Sequence, residues 1–145
     1  MVSQDILDDI ELARKIIKTT DDTIVITQYG KIWNQKKGEE VKIILETLDE
    51  MGEKIKGSTI GLGFLNKASA LLCRYANANA VYSPKATKTA IALLIMGGIP
   101  SQIDKMIPNV ELTGDTKSIE YNNLLKDITS PEEAYKILKE KKEIK

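Results

Sequence analysis

Between Ser58 and Pro100 the chain reads STIGLGFLNKASALLCRYANANAVYSPKATKTAIALLIMGGIP, and every boundary in that run is punctuated. Ser58-Thr59-Ile60 is a short strand, and Gly61 to Gly63 supply a turn. Residues 65–76 carry alanine and leucine at helical spacing, with Ala68, Leu71, Leu72 and Tyr75 facing inward. Ala80-Val81-Tyr82 is a second short strand. Ser83-Pro84 reads as an N-cap followed by proline at the first helical position. The helix that this start predicts runs from Pro84 to Met96, apolar and deeply buried over its last half, and Gly97-Gly98 stop it. Two strands joined through a helix need a parallel, right-handed crossover, so this stretch alone commits the chain to an α/β fold.

The flanking sequence extends the same sheet. Ile6, Ile10, Ala13 and Ile17 define an amphipathic helix over residues 3–18, capped by Ser3 and broken by Asp21-Asp22. Thr23–Thr27 is a β-branched strand, and Tyr29-Gly30 turn it into a second strand over Lys31–Gln35. Trp33 on that second strand is expected to pack against a helix. Val41, Ile44, Leu45 and Leu48 then form a helical stripe that ends near Met51-Gly52. Beyond Pro100, residues 103–107 read as a last strand and 118–126 as a short helix. Ser130-Pro131-Glu132-Glu133 open a final, peripheral helix that reaches about residue 142. The order αββαβαβα(β)α predicts one domain over residues 1–145. Its architecture is a three-layer α/β/α sandwich around a mixed sheet of about five strands, with the first hairpin antiparallel and the crossover strands parallel.

Composition narrows the function. The 145 residues hold 21 lysine plus arginine and 21 aspartate plus glutamate, a formal net charge of zero, so no basic excess points to a nucleic-acid partner. The longest apolar run, Ala90–Ile99, is about half of the roughly 18 residues that a membrane span needs. The charged amino terminus lacks the apolar core of a secretion signal, and a single cysteine forms no internal disulfide. A cytoplasmic protein is the expectation. With no histidine in the chain, a Cys–His pair is excluded, and Cys73 falls among core residues of its helix.

Two places have the context of a ligand site. Gly61, Gly63, Asn66 and Lys67 follow a strand and open a helix, where free backbone N–H groups attract anions and glycines allow close approach. Ser83 and Lys85 stand at the second expected helix start, and parallel-sheet logic sets both starts beside one crevice at the carboxyl ends of the strands. Lys67 and Lys85 make that crevice positive, fit for a small phosphorylated ligand. The bland readings are a structural glycine turn and a plain helix cap. Glu39, Glu40 and the lysines around them read as a solvated helix start, and no acidic group has metal-ligand spacing. No catalytic residue, metal or cofactor is expected.

The run Lys67-Ala68-Ser69-Ala70-Leu71-Leu72-Cys73, with Tyr75-Ala76 and Ala80-Val81-Tyr82-Ser83, resembles an uncharacterised cytosolic family assigned to the cytidine-deaminase-like fold. The likeness covers about residues 10–110. In active deaminases of that fold a His or Cys with a catalytic Glu stands at one helix start and Pro-Cys-x-x-Cys at the next, holding a zinc that activates water. Set against that pattern, Asn66-Lys67-Ala68 offers neither ligand nor glutamate, and Lys85 and Lys88 stand where the cysteines would fall. The resemblance therefore implies the scaffold without zinc-dependent deamination. The family's Asp-Lys ahead of its helix is Leu62-Gly63 here, and its Cys-Pro segment is missing. Three readings stay open: a non-catalytic module binding a nucleotide or phosphorylated metabolite, an interaction module that forms a homo-oligomer such as a dimer, and an enzyme with other chemistry.

Overall fold

The computed structural model describes residues 3–144, with side chains described as far as residue 141. Helix α1 (Gln4–Thr19) starts where the Ser3 hydroxyl accepts from the Ile6 N–H, and it buries Ile10, Ala13 and Ile17. Strands β1 (Ile24–Gln28) and β2 (Lys31–Lys36) are joined by Tyr29 (φ 56°) and Gly30 (φ 72°). Two consecutive left-handed residues make a hairpin turn whose twist matches that of the strands. Helix α2 (Glu40–Met51) ends at Gly52. Strand β3 (Thr59–Leu62), helix α3 (Lys67–Tyr75), strand β4 (Ala80–Thr87), helix α4 (Lys88–Met96) and strand β5 (Ser101–Ile107) complete the crossover half. Helices α5 (Thr116–Leu124) and α6 (Pro131–Ile144) close the fold.

The five strands lie in the order β2-β1-β3-β4-β5. β1 is antiparallel to both β2 and β3, whereas β3–β4 and β4–β5 are parallel. The mixed α/β sheet expected from the sequence is the one observed. Alternation along β1 sorts its side chains between two layers. Ile24 and Ile26 join the main core with residues of α2, α3, α4, α5 and α6, while Val25 joins Ile10, Ala13, Ile17, Ala80 and Tyr82 under α1. A Tyr82 hydroxyl donating to Asp104 at 2.6 Å and a Lys18–Asp104 ion pair at 3.2 Å tie that second layer to β5.

The largest departure from the sequence reading is at Ser83-Pro84. No helix starts there: β4 continues as strand to Thr87, and the Thr87 hydroxyl oxygen caps α4 by accepting from the Ala90 N–H. Proline interrupts a strand by its missing N–H, but pairing with β3 ends at Tyr82 and pairing with β5 passes from Ser83 to Lys85. Pro84 thus falls where the ladder asks nothing of it.

Four smaller differences follow from packing. α4 buries Leu93 and Leu94 but leaves Ile95 and Met96 69% and 68% exposed. The final helix is tied in, with Ala134 and Leu138 buried in the main core. Trp33 is half-exposed on the edge strand rather than under a helix, donating its indole N–H to the Gln28 carbonyl. Tyr75 turns outward and stacks on Tyr135 with ring centres 4.1 Å apart.

Candidate functional site

A cleft of about 590 Å³ opens beyond the carboxyl ends of β3, β4 and β5. Gly63 and Phe64 form one side of it, Lys85 and Lys105 project from adjacent parallel strands, and Met106 and Leu112 give an apolar wall. Ligands of open α/β sheets bind at such carboxyl ends. Gly63 leaves the backbone open, since an added Cβ would meet nothing nearer than the Asp22 carbonyl oxygen at 3.9 Å.

Of the six residues the sequence singles out, only Gly63 and Lys85 line this cleft. Gly61 faces α1 instead: a Cβ there would stand 2.8 Å from Val25 Cγ1 and 3.0 Å from Ala13 Cβ, so its glycine is required by packing. Ser83 is buried in β4, donating its hydroxyl to the Lys85 carbonyl at 2.8 Å. Lys67 turns away and donates to the Lys126 carbonyl at 3.0 Å, with burial holding its ammonium pKa below the ordinary value. The second cation of the cleft is Lys105, which strand pairing sets opposite Lys85.

Asn66 has a different task. Its Oδ1 accepts from the Ser69 N–H at 3.0 Å while its own N–H donates to Ser69 Oγ at 2.8 Å, a reciprocal capping box for α3. Its Nδ2 donates to Ser118 Oγ at 3.2 Å, and Ser118 Oγ donates to Asp115 Oδ2 at 3.0 Å. Asp115 caps α5 and also lines the cleft. A chain of side chains therefore runs from the start of α3 to the rim of the crevice.

At the inner end of that chain stands a residue the sequence reading treats as solvated. Glu39 caps α2 through the Val41 and Lys42 N–H groups, which leaves Glu40 as the first helical residue. The residue as a whole is half-buried, but its Oε1 is sealed from solvent and has no hydrogen-bond partner. Burial pushes its carboxyl up to about 8; the nearby Ser69 side chain opposes this, and the Asp115 and Glu39 charges add to it. Glu40 precedes Ile44 by four and Leu48 by eight, so it tops the buried stripe of α2. That spacing is the signal in the sequence that would have found it. The starts of α2, α3 and α5 thus converge on one polar junction, rather than the starts of α3 and α4 that the sequence suggested.

Chemically the junction offers hydroxyls, an amide and carboxyls. Among the described residues no group of three His, Cys, Asp or Glu side chains is placed to hold a metal ion, and no helix is long and apolar enough to cross a membrane. Cys73 is buried, its thiol pushed far up by burial and then by the Glu40 charge, so it is not a nucleophile in the folded chain.

Residues 12–142 match the family model described as a domain of unknown function, DUF1893. The chain belongs to the DUF1893 family. A crystal structure of a DUF1893 family protein from Thermotoga maritima superposes with a TM-score of 0.79 at 19% identity, covering 97% of this chain and 92% of that one. That likeness shows that the DUF1893 fold is shared. The dCMP deaminase of the cyanophage S-TIM5, in apo form, gives a TM-score of 0.48 at 12% identity over 74% of this chain and 100% of that one. No curated protein matches. The uncharacterised family that the α3 sequence resembles is thus this one, and no function is attached to it.

Proposed function

We propose that this DUF1893 chain is a non-catalytic domain that binds a small phosphorylated molecule, such as a nucleotide, in the cleft at the carboxyl ends of β3–β5. The observation that carries the reading is the pairing of two lysines on adjacent strands, Lys85 and Lys105, with an apolar wall of Phe64, Met106 and Leu112. Ammonium groups attract a phosphate as point charges, and an apolar wall receives the flat face of a base or another apolar moiety. Gly63 admits the ligand close to the backbone. Asp115, opposite in charge, favours a ligand with hydroxyl or amino donors at its other end.

Titration calorimetry with AMP, ADP and a panel of sugar phosphates tests this reading. Binding by at least one, weakened tenfold or more in a Lys85→Ala/Lys105→Ala double variant, is the expected result. No heat for any compound at millimolar concentration, or unchanged affinity in the double variant, would remove it. The reading takes the cytoplasm as its setting, the compartment in which a lone cysteine such as Cys73 stays reduced.

A second reading, self-association, is supported by the exposed Ile95 and Met96 at the end of α4. Light scattering of the wild-type chain beside an Ile95→Lys/Met96→Lys variant tests it. A dimer lost in the variant supports the reading, and monomers for both at every concentration would end it.

A further inference from the structure

We propose that a second cavity, at the amino ends of β4 and β5, binds a small amino acid, with Arg74 taking its carboxylate and Glu132 its ammonium group. The cavity measures about 460 Å³ and lies between the ends of α3 and α4 and the start of α6. Asn79 immediately precedes β4 and Ile99 stands two residues ahead of β5, and both line it. It is therefore at the opposite pole of the sheet from the crevice, and neither ligand reading depends on the other.

The site is built around a guanidinium that the fold leaves unpaired. Arg74 Nη1 is sealed from solvent and has no hydrogen-bond partner, and among the described residues no ion pair includes Arg74. A charged donor in that state costs the fold its desolvation with no bond in return. The side chain is nevertheless seated closely. A Cβ at Gly97 would stand 2.6 Å from Arg74 Nε and 2.9 Å from its Cδ, so glycine at 97 is what lets the arginine lie across the end of α4. Helix capping does not account for it. The Leu72, Cys73 and Arg74 carbonyls of α3 accept from the Ala76, Ala78 and Asn77 N–H groups, and the Leu93, Leu94 and Ile95 carbonyls of α4 accept from Gly97, Ile99 and Gly98. The two helix ends attract a cation, but the guanidinium bonds to neither.

Glu132 supplies the opposite charge. It stands in the first turn of α6, its Oε2 accepting from the Ser130 hydroxyl at 3.2 Å, and it lines the same cavity without pairing with Arg74. Two opposite charges that face one space and do not meet suit a ligand that carries both. A guanidinium takes a carboxylate through two parallel N–H···O bonds, which gives the arginine the acceptor that the fold withholds. The Glu132 carboxylate receives the ammonium group, and the Asn77 and Asn79 amides add further polar wall. A phosphate is disfavoured here, because Glu132 and the carbonyl ends of two helices oppose a second negative charge. That separates this site from the lysine-lined crevice.

The probes are L-alanine, β-alanine and γ-aminobutyrate, which differ in the spacing of their two charges, with acetate and methylammonium as single-charge controls. Proton–nitrogen NMR of the full chain follows the Arg74 Nε–H and the Gly97 and Gly98 amides. At least one amino acid is expected to shift all three signals to saturation at millimolar concentration. It should bind about tenfold or more tighter than either control, the factor that one charge-assisted contact supplies. Glu132→Gln should remove that advantage over acetate, and Arg74→Lys, which keeps the charge but loses the fork, should weaken binding about tenfold. The Lys85→Ala/Lys105→Ala variant should bind as the wild type does. No saturable shift with any of the three, equal affinity for acetate, or unchanged affinity in Glu132→Gln would overturn the site. Loss of binding in Lys85→Ala/Lys105→Ala would also overturn it, by placing the amino acid in the crevice. Arg74→Gln should melt no lower than the wild type; a variant that fails to fold would show the guanidinium to be partnered within the fold and count against the site.

Discussion

Replacing Glu40 by glutamine should make the protein more stable, by an amount that grows with pH. The Glu40 carboxyl is sealed at the α2–α3–α5 junction, and burial raises it from the ordinary 4.5 to about 8. Below pH 4.5 the carboxyl is protonated in both the folded and unfolded chain, so it has no effect. As pH rises from 4.5 to about 8 the unfolded chain releases the proton and the folded chain keeps it, so stability falls across this window. Above about pH 8 both states are ionised and the loss is constant. At 1.36 kcal/mol for each pH unit, the gap between 4.5 and pH 7 amounts to about 3 kcal/mol, and the full window to about 5 kcal/mol. Against a typical total of about 5–15 kcal/mol, this is a heavy standing load for one side chain.

Glutamine keeps the shape and stays neutral, so Glu40→Gln removes the load. Urea unfolding of both chains at half-unit steps from pH 4 to pH 9 measures it, with equal m-values confirming that only stability has changed. The variant should match the wild type near pH 4, gain about 3 kcal/mol by pH 7 and level off above pH 8. A difference that is flat in pH, or a variant less stable at pH 7, would mean that Glu40 is ionised and partnered in the fold. Either result refutes the reasoning.

Four further outcomes follow from packing and burial. Gly61→Ala drives a methyl to 2.8 Å from Val25 and 3.0 Å from Ala13 and should lose about 1–3 kcal/mol in thermal unfolding. Gly63→Ala, with its nearest neighbour at 3.9 Å, should stay within about 0.5 kcal/mol. Asn66→Ala removes the α3 cap and deprives Ser69 and Ser118 of a partner. It should lose about 2 kcal/mol or more in the same assay, beyond the usual cap loss of about 1 kcal/mol. Cys73 should resist iodoacetamide in the native protein at pH 8 and label fully in denaturant, because burial raises its thiol; native labelling at the unfolded rate would contradict the buried assignment.

The sheet was legible in the sequence because its signals are redundant. Each strand from β1 to β3 combines β-branched or apolar residues with a turn residue at or just beyond its end, and several cues err together only rarely. The failure at Ser83-Pro84 shows the limit of a single local cue. Ser-Pro marks a helix start only if the chain turns there, and here it does not turn because β5, a segment later in the chain, pairs with β4 from Ser83 through to Thr87. Lys67 fails in another way: its charge suggests a ligand, but a flexible stem lets it reach the Lys126 carbonyl across the fold. Glu40 is the converse case. Its four-residue spacing to Ile44 was visible, but a carboxylate is expected in water at a helix start, and only the packing of α3 and α5 over it removes the water.

The uneven layering also divides the labour of the molecule. Among the described residues α1 alone covers one face of the sheet, over a small cluster tethered by Asp104, while five helices share the other face with the polar junction. The α1 face has fewer buried contacts to hold it and no part in the crevice. Its tie to the rest of the sheet runs through Val25, Ala80 and Tyr82 and through the Asp104 contacts. Substitution along α1 is constrained at the methyl-sized clearance between Ala13 and Gly61 and at Asp9, which accepts from Gly30 and Thr27, whereas on the other face a change at Asn66 or Ser118 reaches several helices at once.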